Sequence, residues 1–359
     1  MLSSSARFIH AWMGAILALL LILIASTGTA LIWKDAYVRL AFAQQAQGLD
    51  RNVNDLLSIV ESSESAFGAH TINHIRFGDE NVGISRIDLV NKHAAYIAAD
   101  GSVLEEWAPN GRPEDWLLDL HHRLLSGTAG LYVVGAAGLA SLLMILAGLV
   151  AYWPKRRHWR VGLIPRKLIR PHILLSHRNL GFLSSLPFAI VLLSGVVITF
   201  PDTSRSFFYS PESDTYGADF GEGVDALDGQ SEAVWERALG RAMTVFPQAH
   251  ITGLVWPSAA EDKVIQMRTT SEWAEHGNSR VHITAFDGMM GLRVDASTSS
   301  LGEKAYQAMR TVHTGGFDGW LYDVFLSIIG IGMTYIGLSG FTTFISHRLP
   351  RSRRKAASK

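Results

Sequence analysis

Four near-continuous apolar runs, at 11–33, 128–153, 181–200 and 321–345, dominate the chain. Each is long enough to cross a bilayer core of about 30 Å, which takes roughly 20 helical residues. None carries a charge in its middle; Asp323 stands only near the start of the fourth. The first run is too long for the apolar region of a signal peptide and shows no small-residue cleavage site near its end, so a retained helix is expected. Between the runs the hydrophobic period changes. Residues 53–67 and 231–246 read as amphipathic helices, the second ending at Pro247. Strand patterns follow at 74–77, 84–90 and on both sides of Asp100-Gly101, then at 250–256, 263–270 and 281–286 before Asp287-Gly288. An Asp-Gly pair between short strands marks a hairpin turn. The Ser-, Asp-, Glu- and Gly-rich stretch 202–230 reads as an exposed linker.

Charge sets an orientation. Residues 153–178 hold eight Lys/Arg (Lys155, Arg156, Arg157, Arg160, Arg166, Lys167, Arg170, Arg178) and no acid, and residues 346–359 hold six and no acid. The long segments 34–120 and 201–318 carry 14 and 17 acids against seven and nine bases. Positive residues stay on the cytoplasmic side. Both termini and the middle loop are therefore expected in the cytoplasm, with the two long segments on the opposite face, the periplasm of a bacterial inner membrane. Trp12, Trp33, Trp153, Trp320 and Tyr322 fit interfacial anchors.

The plan of span, external segment and span occurs twice, and the copies share fixed intervals. His10-Ala-Trp-Met-Gly14 and His177-Arg-Asn-Leu-Gly181 open the first and third spans, and a second glycine follows each histidine after 18 residues, in Thr27-Gly28 and Ser194-Gly195. His121 to Gly148 and His313 to Gly340 are both 27 residues, with Arg156 and Arg348 each eight further on. Agreement in three intervals and in topology marks a repeat. By depth, His10 and His177 form a layer at the cytoplasmic face, and His121 and His313 a layer at the other. Eighteen residues make about five helical turns, so Gly28 shares a face with His10, and Gly195 with His177. A small residue in one layer below a histidine in the other suits a helix that passes two bulky planar groups.

Two imidazoles per layer, without a supporting Asp, Glu or Cys, fall short of a tetrahedral zinc site. They match the two axial positions of haem iron, and a helical bundle is a suitable housing. The chain has no cysteine among its 359 residues, which excludes iron–sulfur clusters, thiolate zinc sites, disulfides and covalently attached haem. The alternative is a set of interfacial histidines bonded to lipid headgroups. His122 adjoins His121 but points about 100° away on a helix, and the repeat interval favours His121. His158, His172 and His347 lie at the basic face and read as solvated. His70 and His74, four apart, could share a helix face but have no third ligand nearby. Arg7, Arg123, Arg178 and Arg310 lie close enough to the four histidines to pair with haem propionates, or to serve as topology anchors. The external segments show no nucleophile–base pair and no phosphate loop. Gly330-Ile-Gly332 follows no strand, so it reads as a helix-packing site rather than a dinucleotide motif.

The chain resembles the PepSY-associated transmembrane-helix family, the iron-regulated membrane proteins that include ferric-siderophore reductases. The resemblance rests on His10-x-Trp-x-Gly14 with Thr27-Gly28, Leu120-His121-His122-Arg123 before span two and His177-x-x-x-Gly181. Val312-His313-Thr-Gly-Gly316 before span four and the Phe246-Pro247 start of the second external module complete it. It covers nearly the whole chain, and Val312 departs from the family's usual Leu. It implies haem b, two per chain, with axial iron ligands His10, His177, His121 and His313.

The expected architecture is a membrane protein with a four-transmembrane-helix bundle in two pseudo-repeats and two periplasmic α/β PepSY-like modules. Its parts are helix one (1–33), module one (34–120), helix two (121–153), a basic cytoplasmic loop (154–176), helix three (177–200), module two (201–312), helix four (313–345) and a basic tail (346–359). The expected activity is that of a transmembrane ferric reductase, an oxidoreductase passing electrons outward to a ferric siderophore or similar chelate and releasing Fe(II). The cytoplasmic segments are too short for a flavin or nicotinamide domain, so a separate reductase or a membrane quinol would be the donor. The alternative is a non-catalytic membrane-anchored PepSY module that binds or inhibits a periplasmic partner. A chelate transporter is disfavoured because the spans lack charged or Pro-broken midsections. No nucleic-acid partner is expected, since topology accounts for the basic clusters.

Overall fold

The structure, a computed structural model, describes residues 2–153, 162–209, 231–255, 263–274, 276–283, 290–317 and 320–348. Lys155, Arg156, Arg157, His158 and Arg160, most of the linker, the Asp287-Gly288 turn and residues 349–359 lie outside them. The chain divides into two compact units, one of residues 1–32, 117–201 and 312–359 and one of residues 33–116 and 202–311.

The helical unit begins with α1 (Leu2–Leu31), and the second unit with α2 (Lys34–Ala41) and α3 (Val53–Phe67). Helix α4 (Pro113–Arg123) carries the chain back to the helical unit, where α5 (Gly127–Tyr152), α6 (Arg170–Leu183) and α7 (Ser185–Thr199) follow. Next come α8 (Pro201–Phe208), α9 (Ser231–Val245), α10 (Leu301–Thr314) and α11 (Trp320–Arg348). Helices α1, α5 and α11 are long and apolar enough to cross a membrane, and α6 with α7 makes a fourth crossing if the bent pair is one span. Their outward residues, among them Ile16, Leu19, Leu143, Leu146, Leu193, Ile328 and Ile331, are large, apolar and exposed. That surface is suited to lipid.

Span three differs from the sequence expectation in two ways. It starts at Arg170 rather than at 177, because Pro171 in the first turn is pre-set for a helix start. It is then broken at Ser184 with a 67° bend. Pro187 supplies the cause: it has no N–H to give the carbonyl four residues back, and its ring crowds that carbonyl. The expectation that no span has a Pro-broken midsection is therefore corrected. Helix α1 packs along α11 and α5, α5 along α7, and α11 along α6. Gly330 faces the Ala25 carbonyl and Thr29, and Gly337 faces the Ala18 carbonyl and Ile22, so small residues on both helices bring α1 and α11 together. Ala25, Phe188, Leu326, Ile329 and Met333 form the apolar centre of this unit.

The second unit is built on eight antiparallel strands: β1 (Ile72–Arg76), β2 (Ser85–Leu89), β3 (Ala94–Ile97), β4 (Val103–Trp107), β5 (Ala249–Val255), β6 (Lys263–Thr269), β7 (Ser279–Ile283) and β8 (Met290–Val294). Their order is β4-β3-β2-β1-β5-β6-β7-β8. Strands β1 and β5 pair in the middle, with Ile75 opposite Leu254. The two external segments therefore share one sheet, where separate modules were expected. Alternate residues Ile75, Ile87, Leu254, Ile265, Met267 and Val281 bury one sheet face against Leu56, Ile59 and Val60 of α3 and Trp235, Leu239 and Ala242 of α9. Helix α3 is fixed at its start by the Asn52 side chain accepting from Asp55 N–H at 3.0 Å, and it stops at Gly68, which takes φ +84°. The Asp100-Gly101 turn forms as its sequence requires, with Gly101 at φ +82°.

On this unit's other face Arg112, 7% exposed, donates to Glu114 at 2.5 Å, bridges to Glu105, and stacks over Phe42, Tyr96 and Trp107. Glu114 is 3% exposed, so Arg112→Met would leave a buried carboxylate short of its cation. That is expected to cost about 3–5 kcal/mol, since removing one partner leaves the other charge uncompensated. Adding Glu114→Gln should restore most of the loss. Urea unfolding of the single and double variants checks both points; equal stability of Arg112→Met and the parent chain would contradict it.

Candidate haem site in the helical unit

Histidines drawn from four helices meet in two pairs. His10 on α1 faces His177 on α6 with ring centres 6.2 Å apart, and His121 on α4 faces His313 on α10, also at 6.2 Å. A metal–imidazole bond is about 2.0 Å and a ring nitrogen lies about 1.1 Å from the ring centre, so two imidazoles on opposite sides of one metal ion have centres about 6.2 Å apart. Along α1, about 27 Å of helix separates His10 from Gly28 in the other layer.

Each ring is seated against a glycine. A Cβ on Gly28 would stand 2.7 Å from Cε1 of His121, and one on Gly195 2.7 Å from Cε1 of His313. The corresponding distances are 3.1 Å from Gly148 to His10 and 3.2 Å from Gly340 to His177. These are the four glycines of the repeat intervals. At Gly28 and Gly195 the sequence suggests room for a planar group; in the structure the imidazoles of His121 and His313 occupy it.

The glycine also exposes a carbonyl. Nδ1 of His121 lies 2.9 Å from the Ile24 carbonyl, Nδ1 of His313 3.0 Å from that of Val191, and Nδ1 of His10 3.1 Å from that of Met144. His177 bonds the Ile336 carbonyl as well. Each of these carbonyls belongs to the residue four before a seat glycine, so it points along the helix past the missing side chain. A carbonyl only accepts, so Nδ1–H must donate, and the neutral ring is left with its lone pair on Nε2. That is the tautomer a metal needs, held by the outer bond that metal-ligating histidines usually make. Hydroxyls add to it: Thr27 Oγ1 lies 3.2 Å from Nδ1 of His121, Ser194 Oγ 3.2 Å from that of His313, and Ser339 Oγ 2.9 Å from that of His177. In the sequence, the Ser/Thr-Gly pairs Thr27-Gly28 and Ser194-Gly195, one layer away from a histidine, are the signal for these hydroxyls.

Neighbouring candidates fall into place around these pairs. His122 stands beside His121, ring centres 5.6 Å apart, and is not the ring that faces His313. His172 lies in the first turn of α6, in helix where a loop was expected. His74 is on β1 with Nδ1 3.7 Å from Asp88, while His70 lies in the turn before it, so the two share no helix face. Burial pushes the Asp88 carboxyl up, but His74 and Arg86 overcome that and hold it at about 2. Arg7 is exposed on α1, and Arg123 reaches back to Asp119 at 3.6 Å. Arg178 lies over the Tyr152 ring at 5.3 Å, one residue after His177. Arg310 shares α10 with His313.

The donor set fits haem. Each layer brings together two imidazoles, with ring centres 6.2 Å apart. Tyr152 adds a buried hydroxyl with no hydrogen-bond partner among the described residues, beside Arg178, a suitable pair for a propionate.

Apolar spans, a shared antiparallel sheet and paired histidines define the class: a helical membrane protein with a sheet-bearing second unit. The chain belongs to the family described as the PepSY-associated TM region, whose model matches residues 7–346. No curated protein matches the chain.

Proposed function

We propose that the chain is a di-haem b cytochrome of the bacterial inner membrane that carries electrons outward and reduces a ferric siderophore or similar chelate. The observation that supports it best is the 6.2 Å spacing in both histidine pairs, joined to the Nδ1 bonds to main-chain carbonyls, which place the ring lone pair on Nε2. Haem supplies one-electron chemistry, and the protein sets its position and potential.

The chain's own residues do the rest. Ile24, Val191, Met144 and Ile336 hold the ring tautomers, and the seat glycines fix ring positions. Arg166, Lys167 and Arg170 beside α6 set the His10–His177 layer at the cytoplasmic side. The His121–His313 layer then lies nearer the opposite face of the membrane. Hard oxygen ligands hold Fe(III) far more tightly than Fe(II), so adding one electron to the chelated iron releases it from the chelate. The electron comes from a separate cytoplasmic reductase or a membrane quinol.

An absorption spectrum of the purified full chain, oxidised and dithionite-reduced, with a pyridine haemochrome count, tests this. Low-spin b-type bands and two haems per chain are expected. Mixing the reduced protein with ferric citrate and an Fe(II)-specific dye should then give coloured Fe(II) complex as the bands reoxidise. A chain that stays colourless when expressed with added haem overturns the proposal and favours a binding module without redox chemistry.

A further inference from the structure

The four histidines are not equally supported at Nδ1. Before three of the seat glycines stands a hydroxyl residue: Thr27 before Gly28, Ser194 before Gly195 and Ser339 before Gly340. Each of these hydroxyls donates its own proton to a carbonyl of its helix, at 2.8 Å to Leu23, 2.9 Å to Val191 and 3.2 Å to Ile336. Its oxygen lone pairs are thereby left for Nδ1–H. Before Gly148 stands Ala147, and among the described residues the Met144 carbonyl, at 3.1 Å, is the acceptor for His10. So both rings of the His121–His313 layer have a carbonyl and a hydroxyl, while the other layer contains one ring with a carbonyl alone.

An acceptor at Nδ1–H draws the proton away and makes the imidazole a stronger donor at Nε2. A stronger donor favours Fe(III) over Fe(II) and lowers the reduction potential. We infer that Thr27, Ser194 and Ser339 are positioning residues acting through the imidazoles, and that Ala147 makes the His10–His177 centre the higher-potential of the two. This rests on the haem reading above. It gives the arrangement a purpose. The centre nearest the chelate is the stronger reductant, which tightly held Fe(III) requires, and the outside-positive membrane voltage favours the outward step of the electron.

The test is a spectroelectrochemical titration of the full-length haem-loaded protein. Two one-electron waves are expected, and His313→Ala should abolish the lower. Thr27→Val, which keeps the shape and removes the acceptor, should raise the lower wave and leave the upper in place. Ser194→Ala should do the same as an independent variant. Ala147→Ser should lower the upper wave alone. Two haems with waves that none of these changes moves, or loss of the upper wave in His313→Ala, would overturn the inference while leaving the cytochrome standing. A chain without haem would overturn the cytochrome itself.

Discussion

His313→Ala is expected to retain one of the two haems proposed for the chain, so the pyridine haemochrome signal per protein falls by about half. The ring of His313 is the partner of His121 at 6.2 Å, and its removal leaves one axial ligand in that layer. The vacated space lies against Gly195 and Ser194. The other layer keeps its ligands, its carbonyl bonds to Met144 and Ile336 and its seats at Gly148 and Gly340, none of which includes a residue of the His313 seat. His121→Ala should behave alike. His122 is no substitute, because adjacent residues on α4 point about 100° apart and it is the His121 ring that faces His313. His122→Ala should accordingly keep both haems. The absorption spectrum of the remaining centre should stay low-spin. A His313→Ala protein with both haems would show that the pairing is wrong, whatever its activity.

Local features were readable in the sequence where their cause is local. Residues 53–67 have a helical period between Asn52 and Gly68, and they form α3 with those same bounds. Asp100-Gly101 turns between β3 and β4 for the same reason. The histidine intervals were readable too, because a repeat writes long-range geometry twice. What escaped was decided by pairings between distant segments. Nothing in residues 72–76 announces that they pair with residues 249–255, yet that contact turns two external segments into one sheet with one core. Pro187 was visible, but a continuous apolar run around it hid the break at Ser184. The glycines show the limit most clearly. Their intervals fixed where space was needed, and only the packed helices show that an imidazole fills it and that a carbonyl lies beneath.

That packing sets the second large expected effect, on substitution of the seats by alanine. Within a helix Gly→Ala by itself is favourable by about 0.5–1 kcal/mol, since glycine gives up more backbone freedom. Any loss therefore comes from the added methyl. At Gly28 and Gly195 the new Cβ would stand 2.7 Å from Cε1 of His121 and His313, well inside carbon–carbon contact at about 3.5–4.0 Å. The ring cannot slide away while its Nδ1 bonds the carbonyl beneath and its partner stands opposite at 6.2 Å. Gly28→Ala and Gly195→Ala should each tilt one ligand off its axis, giving loss of the haem of that layer or a high-spin spectrum from it. At Gly148 and Gly340 the distances are 3.1 and 3.2 Å, so a shift of a few tenths of an ångström relieves the contact. Gly148→Ala and Gly340→Ala should then keep both haems with a displaced spectrum of the other layer. Haem counts and low-spin bands across the four variants measure this order. Equal tolerance at all four positions would mean that the rings are not held where the structure has them.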